Sequence, residues 1–247
     1  MTKKAILAVS FGTTHRDAYE RAVVPAERAV FDAFPGYEHK SAFTSRMVVN
    51  ALSSRGVNVM HVSEAFEKLK NYDEVIAVSE HIINGFEYEK LLSAARLCRG
   101  SVKISRPLIS RSSDYDNFIR AVSPLFCDVD AQYIFMGHGS GHFADSAYAA
   151  MDYRFKDAGF GSVHVATVEG YPALDNVLKK IHGSKKAVLM PMMLVAGDHA
   201  KNDMANGWAP RLEAAGIKTE CVMKGLGEYG EIRGLLVRHA LEAVPLR

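Results

Sequence analysis

Residues 132–151, QYIFMGHGSGHFADSAYAAM, decide the fold, because a short apolar strand, a glycine-rich loop and a helical pattern follow one another directly. The strand is almost wholly apolar, which is typical of strands buried on both faces of a parallel sheet. Residues 5–20, AILAVSFGTTHRDAYE, repeat this plan near the N-terminus. The repetition indicates two related α/β units.

Short apolar runs and amphipathic segments alternate along the rest of the chain, and strands separated by helices predict parallel sheets covered on both faces. The predicted strands are Ala5–Ser10, Glu38–Phe43, Glu74–Ser79, Val102–Ile104, Gln132–Met136, Val163–Val168, Ala187–Met192 and Lys218–Val222. Predicted helices include Asp17–Ala33, Val62–Lys70, Phe86–Leu97, Ala144–Lys156 and Glu228–Ala243. We therefore predict an α/β fold of two similar lobes, residues 1–127 and 128–247. Each lobe is a four-stranded parallel sheet flanked by helices, and a cleft lies between the lobes.

Composition and charge narrow the class of protein. Hydrophobic residues make up 48% and charged residues 23%, which is typical of a soluble globular protein, and the net charge is only +2. Without clustered Lys and Arg the sequence does not predict nucleic-acid binding. The longest apolar stretches are about ten residues, too short to cross a bilayer, and the N-terminus lacks the features of a secretory signal. We expect a cytoplasmic protein with no membrane partner.

Three candidate metal ligands follow three consecutive predicted strands of the second half. His138 stands between two glycines, Glu169 precedes Gly170, and His199 follows Asp198. Because parallel strands end at the same edge of a sheet, these side chains can converge. Two imidazoles and a carboxylate suit a borderline divalent ion and leave positions open for exchange. Asp198 is the predicted acceptor that orients the His199 ring.

Each of these residues also has an ordinary structural explanation. A histidine beside glycine is often a loop or capping residue, and a glutamate at a strand end often begins a helix. The pattern alone therefore leaves a structural role open beside the metal site. A nucleotide-binding α/β enzyme is a weaker alternative, since the sequence contains no complete phosphate loop.

Loops that end the strands of the first half form a candidate binding region. Ser10, Phe11, Gly12 and Thr13 make a strand-to-helix turn of a kind that binds anionic groups readily. The next strand ends in Thr44 and Arg46, whose guanidinium suits carboxylates, and the third is followed by His81-Ile-Ile-Asn-Gly85. The pattern predicts a large, partly apolar ligand that carries carboxylates. Ordinary turns and helix caps would explain each loop equally well.

Several short motifs, taken together, resemble the anaerobic cobalt chelatase family, CbiK. They occur in the family's order: Val9-Ser-Phe-Gly-Thr13, Ala42-Phe-Thr-Ser45, His81-Ile-Ile-Asn-Gly85, Glu87-Tyr-Glu-Lys90, Met136-Gly-His-Gly139, Leu194-Val-Ala-Gly-Asp-His199 and Gly225-Leu-Gly-Glu228. The resemblance implies a class II chelatase fold and places the family's metal-site residues on His138, Glu169 and His199, which would also be catalytic. One departure is Glu80, where an apolar residue is expected. An acid near the cleft would alter metal or substrate preference.

The resemblance also implies an activity, namely insertion of Co²⁺ into sirohydrochlorin in anaerobic cobalamin biosynthesis. The metal is then a substrate, and Fe²⁺, Ni²⁺ or Zn²⁺ could bind the same ligands. Two alternatives stay open. One is iron insertion that gives sirohaem, and the other is a tetrapyrrole- or metal-binding protein without turnover. The sequence leaves the oligomeric state open, a homo-oligomer included.

Overall fold

The computed structural model describes residues 2–98 and 100–246, and no helix in this part of the chain is long and apolar enough to cross a membrane. Its strands are β1 (Lys4–Ser10), β2 (Glu38–Phe43), β3 (Glu74–Ser79), β4 (Ser101–Ile104), β5 (Ala131–Gly137), β6 (Val163–Thr167), β7 (Lys186–Pro191), β8 (Lys218–Cys221) and β9 (Val244–Pro245). Every predicted strand is present, with ends that differ by a residue or less. The two-residue β9 was not predicted.

The helices are more numerous than the sequence pattern indicated. They are α1 (Arg16–Ala18), α2 (Val24–Asp32), α3 (Arg46–Ser53), α4 (Val62–Leu69), α5 (Phe86–Ala95), α6 (Ser112–Val122), α7 (Ser146–Asp157), α8 (Leu174–Lys180), α9 (Ala209–Ala214) and α10 (Gly230–Leu241). Two wide π-helical segments join them, Tyr19–Val23 between α1 and α2 and Ala200–Trp208 before α9. Such segments are rare and occur frequently at functional sites.

The first sheet has the strand order β2-β1-β3-β4-β9, in which the first four strands are parallel and β9 is antiparallel to β4. On one face, Leu7 and Val9 belong to a core that includes Phe66 of α4 and Leu91 of α5. The other face packs against α2 and α10. The α/β prediction is confirmed for this unit, with β9 added as an edge strand.

The second sheet has the order β6-β5-β7-β8 and is parallel throughout. One face is filled by an aromatic cluster in which the rings of Phe135 and Phe155 stack at 5.6 Å and Phe118 of α6 lies 6.0 Å from Phe135. The opposite face packs against α8, the Ala200–Trp208 segment and α9. Both faces are therefore covered, which explains why these strands carry so few polar residues.

Two compact units make up the fold, one of residues 1–110 and 227–247 and the other of residues 111–226. The predicted lobes, 1–127 and 128–247, have one boundary, whereas the units have two, at 110/111 and 226/227. Helix α6 belongs to the second unit because Phe118 packs into its aromatic cluster. Helix α10 belongs to the first unit because it packs on α2 and β3. Chain order alone does not indicate that the C-terminus returns to the first unit.

Replacement of Phe155 by alanine tests the aromatic cluster. Phe155 is fully buried and stacks on Phe135, so the cavity should lower the free energy of unfolding by about 3–5 kcal/mol. Tyr153→Ala is the matched control on the same helix, because Tyr153 is 70% exposed and should cost less than about 0.5 kcal/mol. Urea unfolding measures both. Equal losses would show that the cluster does not stabilise the unit.

Candidate functional site

The carboxyl ends of β5, β6 and β7 lie side by side, because β5 pairs in parallel with both of its neighbours. His138 follows β5 directly, and Glu169 lies two residues beyond β6. The backbone N–H of Glu169 donates to the His138 carbonyl at 2.8 Å, which holds the two loops together. Gly139 makes this approach feasible. Its φ is +75°, and a Cβ there would lie 1.9 Å from the Glu169 carbonyl oxygen.

His138 and His199 come together at this edge, and their ring centroids are 4.4 Å apart at 87°. Both side chains are partly exposed. The Nδ1 atom of His138 lies 2.6 Å from the Gly139 carbonyl oxygen, and the Nδ1 atom of His199 lies 2.7 Å from Oδ2 of Asp203. A carbonyl and a carboxylate can only accept, so each Nδ1 must donate its proton. In both neutral rings the lone pair is therefore on Nε2, the form that binds a metal ion.

Asp203, rather than the predicted Asp198, is the acceptor seen for the His199 ring. The structure makes His199 helical, so Asp203 lies four residues ahead on the same helix face. The sequence prediction treated this stretch as a loop, where an adjacent residue is the natural partner. A helical prediction through residue 203 would have found the His-x-x-x-Asp spacing.

Glu169 is exposed, and only its backbone is fixed beside His138. Among residues 2–98 and 100–246, no three His, Cys, Asp or Glu side chains form a group able to hold a metal ion. The structure thus brings together two of the three predicted ligands. A metal ion bound by the two histidines would take its third ligand from Glu169, from the substrate or from water.

In the first unit, Thr44 and His81 meet at the carboxyl edge of the sheet. The Thr44 hydroxyl lies 3.3 Å from Nε2 of His81, and the Ser79 hydroxyl lies 2.9 Å from its Nδ1. Both side chains are buried, and burial is the main reason that the pKa of His81 falls to about 4. His81 is therefore neutral near pH 7 and orders the strand ends.

The remaining predicted binding residues lie at the same edge of the sheet and differ in how exposed they are. Phe11 is 44% exposed, whereas Ser10 and Thr13 are buried. Arg46 is exposed in the first turn of α3 and borders a cavity of about 430 Å³ that Thr44 and Lys90 also line. Gly12 has a φ of +96° and packs on Phe43, and Gly85 caps α5. Phe11 and Arg46 are thus the side chains best placed to contact a ligand.

Glu80 lies in the interior of the first unit and is only 2% exposed. From the sequence we expected Glu80 near the cleft, as an acid able to alter metal or substrate preference. The structure instead buries Glu80 within reach of the charge of Glu27 on α2. Burial and the charge of Glu27 together raise the pKa of Glu80 well above the usual range. No feature of the sequence pattern would reveal this pairing, because the two glutamates are far apart in the chain.

Comparison with known proteins gives the family. The sirohydrochlorin cobaltochelatase of Salmonella typhimurium is 37% identical, in an alignment that covers 98% of this chain and 97% of the relative. The sirohydrochlorin cobaltochelatase CbiKC of Nitratidesulfovibrio vulgaris is 32% identical over 99% of this chain and 92% of the relative. Among solved structures, SirB from Bacillus subtilis with Fe³⁺ has a similar fold, with a TM-score of 0.68 and 12% identity over 98% of this chain and 95% of SirB. The profile of the family described as cobalt chelatase (CbiK) matches residues 4–245, and the chain belongs to that family.

Proposed function

We propose that this protein is a metal chelatase that inserts Co²⁺ into sirohydrochlorin. The observation that carries the proposal is the pair of His138 and His199, whose Nδ1 atoms are both engaged and whose Nε2 atoms are left to bind a metal. Membership of the cobalt chelatase family and the names of the two relatives support the substrate and the metal. The cobalt ion is a substrate that leaves inside the product.

The reaction replaces two pyrrole protons of sirohydrochlorin by one Co²⁺ ion. The histidine pair would hold Co²⁺ while water leaves its coordination sphere, and the pyrrole nitrogens would then replace the histidines. Glu169 is exposed beside His138 and is the proposed third ligand or proton acceptor. A histidine released from the metal can also take a pyrrole proton on its free ring nitrogen. The two protons thus have acceptors at the site where they are released.

The predicted binding loops of the first unit would hold the macrocycle. Phe11 offers an exposed ring for apolar contact, and Arg46 offers a guanidinium for a carboxylate of the substrate. Lys90 is already paired with Glu87 at 2.6 Å, which makes Arg46 the simpler carboxylate partner of the two. The edge that carries these two side chains would be formed by the other predicted binding residues, Ser10, Gly12, Thr13, Thr44, His81 and Gly85.

The proposal also specifies Co²⁺ as the metal that is inserted. Imidazole and carboxylate ligands suit Fe²⁺, Ni²⁺ and Zn²⁺ as well as Co²⁺, so selectivity must come from geometry and supply. Anaerobic assays with Co²⁺ and Fe²⁺ in parallel distinguish cobalt insertion from sirohaem formation. Tight binding of sirohydrochlorin without insertion of either metal would instead favour a carrier.

Alanine replacement of each histidine tests the site. We expect His138→Ala and His199→Ala to lower the rate of Co²⁺ insertion by at least about a hundredfold, since each variant loses one of the two histidine ligands. The readout is the loss of the metal-free absorption spectrum of sirohydrochlorin. His182→Ala, at an exposed position, is the matched control and should keep the wild-type rate. Wild-type rates in both site variants would contradict the assignment.

Replacement of Asp203 by asparagine tests how His199 is oriented. The amide can donate to Nδ1, which would move the ring proton to Nε2 and block metal binding. We expect Co²⁺ affinity to fall by about 10–100-fold, measured by titration in the absence of sirohydrochlorin. Asp198→Asn should have a much smaller effect. The reverse order would restore Asp198 as the orienting residue.

A further inference from the structure

The face of the first sheet beneath α2 carries buried polar groups that the proposed reaction does not use. Val9 pairs with Ser79 in the parallel register, so Ser10 and Glu80 occupy the next pair of positions and point to the same face. The backbone N–H of Glu80 donates to the Val9 carbonyl at 2.9 Å, which continues this register to the end of the strands. Glu80 thus lies beside the residue that begins the predicted binding loop.

Neither polar side chain at these positions has a partner within the described residues. Ser10 and Glu80 are each 2% exposed, and the Ser10 hydroxyl and both Glu80 carboxylate oxygens are buried without a hydrogen bond. An ionised carboxylate in such a place would be costly by several kcal/mol. Glu80 must therefore be neutralised, either by a proton or by a cation.

Glu27 of α2 reaches the same region. It is 7% exposed and accepts a hydrogen bond from the Ser41 hydroxyl, while burial raises its pKa to about 7. The charge of Glu27 adds to burial in raising the pKa of Glu80. Tyr19, in the π-helical segment before α2, has its pKa raised to about 12 by burial and by both glutamates. Tyr19, Glu27 and Glu80 are therefore neighbours, and burial raises the pKa of both carboxyl groups.

Other titratable groups occur on the elements packed around this face. Helix α10 contributes the buried His239, and Arg21 forms an ion pair with Glu228 at 3.4 Å. His81, the next residue after Glu80, is hydrogen-bonded to Thr44 and Ser79. None of these groups contributes to the pKa shift of Glu80, whose causes are burial and Glu27. A proton is thus the simplest counterion for the pair.

We propose that Glu80 is held protonated inside the first unit with Glu27 as its charged neighbour, and that this protonation keeps the strand ends at Ser10 and His81 in their substrate-binding form. Ionisation of Glu27 would oppose ionisation of Glu80, because each charge would repel the other inside the protein. Loss of the proton would place two buried negative charges beneath the loop that begins at Ser10. The coupling to substrate rests on the proposed function, whereas the protonation of Glu80 does not.

The direction of the pH effect follows from the raised pKa values. The ordinary pKa of a glutamate is 4.5, and that of Glu27 is about 7 in the folded protein. The folded state therefore binds more protons than the unfolded state between these values. The stability that the pair contributes is fully present below pH 4.5 and is lost as pH rises through about 7. Since the two groups interact, the protons leave in steps that belong to the pair.

Infrared spectroscopy and substrate binding test the proposal on the intact chain. Spectra at about pH 6 and about pH 8, on either side of the Glu27 pKa of about 7, should show the C=O band of a buried protonated carboxyl that weakens at the higher pH. Glu80→Gln should remove that band. The Kd of wild type for sirohydrochlorin should rise by up to about tenfold per pH unit above pH 7, and Glu80→Gln should flatten this rise.

Two further variants make the result decisive. Glu67→Gln alters an exposed glutamate on α4 and should keep both the band and the wild-type pH dependence. Glu80→Leu, which removes the carboxyl group and adds no other polar group, replaces Glu80→Gln if that variant does not fold. A missing band in wild type, or an unchanged band in Glu80→Gln, would overturn the protonation of Glu80. Parallel pH profiles in wild type and Glu80→Gln would overturn the coupling. If wild type binds no sirohydrochlorin, the proposed function and the coupling fail together, while the infrared result still decides the proton.

Discussion

Parallel pairing of β5 with β6 and β7 is the constraint on which the candidate metal site depends. It forces three chain segments to leave the sheet at one edge, so His138, Glu169 and the segment leading to His199 start from neighbouring points. The histidine rings then meet at 4.4 Å because the chain after β7 turns back into a helix that begins at the same edge. A different strand order would separate these residues, whatever their identities.

The hydrogen bonds at Nδ1 determine which ring nitrogen of each histidine is available to bind a metal. The acceptors are of two kinds, a backbone carbonyl beside His138 and a carboxylate one helical turn after His199. Both leave Nε2 as the free donor atom, so the pair can hold an exchangeable ion that is delivered to the substrate. The buried glutamates of the first unit differ from the histidine pair, because the Glu80 carboxyl has no hydrogen-bond partner among the described residues. Within residues 2–98 and 100–246 no cation pairs with Glu27 or Glu80, and burial there favours the protonated form.

Much of the fold and part of the candidate site could be predicted from the sequence, because they depend on local features of the chain. Apolar strands and glycine-bounded loops are local features, so the strands and the convergence of His138 with His199 could be predicted. Helices such as α3 and α8 were missed because they are short and depend on tertiary packing more than on their own pattern. The return of α10 to the first unit, the role of Asp203 and the pairing of Glu27 with Glu80 depend on distant contacts or on a helix where a loop was expected. No local pattern carries that information.

Cobalt K-edge X-ray absorption of the Co²⁺-loaded protein tests the central claim most directly, because it reports the ligand atoms of the ion without requiring turnover. We expect two imidazole nitrogens in the coordination shell of wild type and one in His138→Ala, with oxygen ligands completing the shell. A shell made only of oxygen atoms, or a wild-type shell retained in His138→Ala, would contradict the histidine pair as the site where the metal is held.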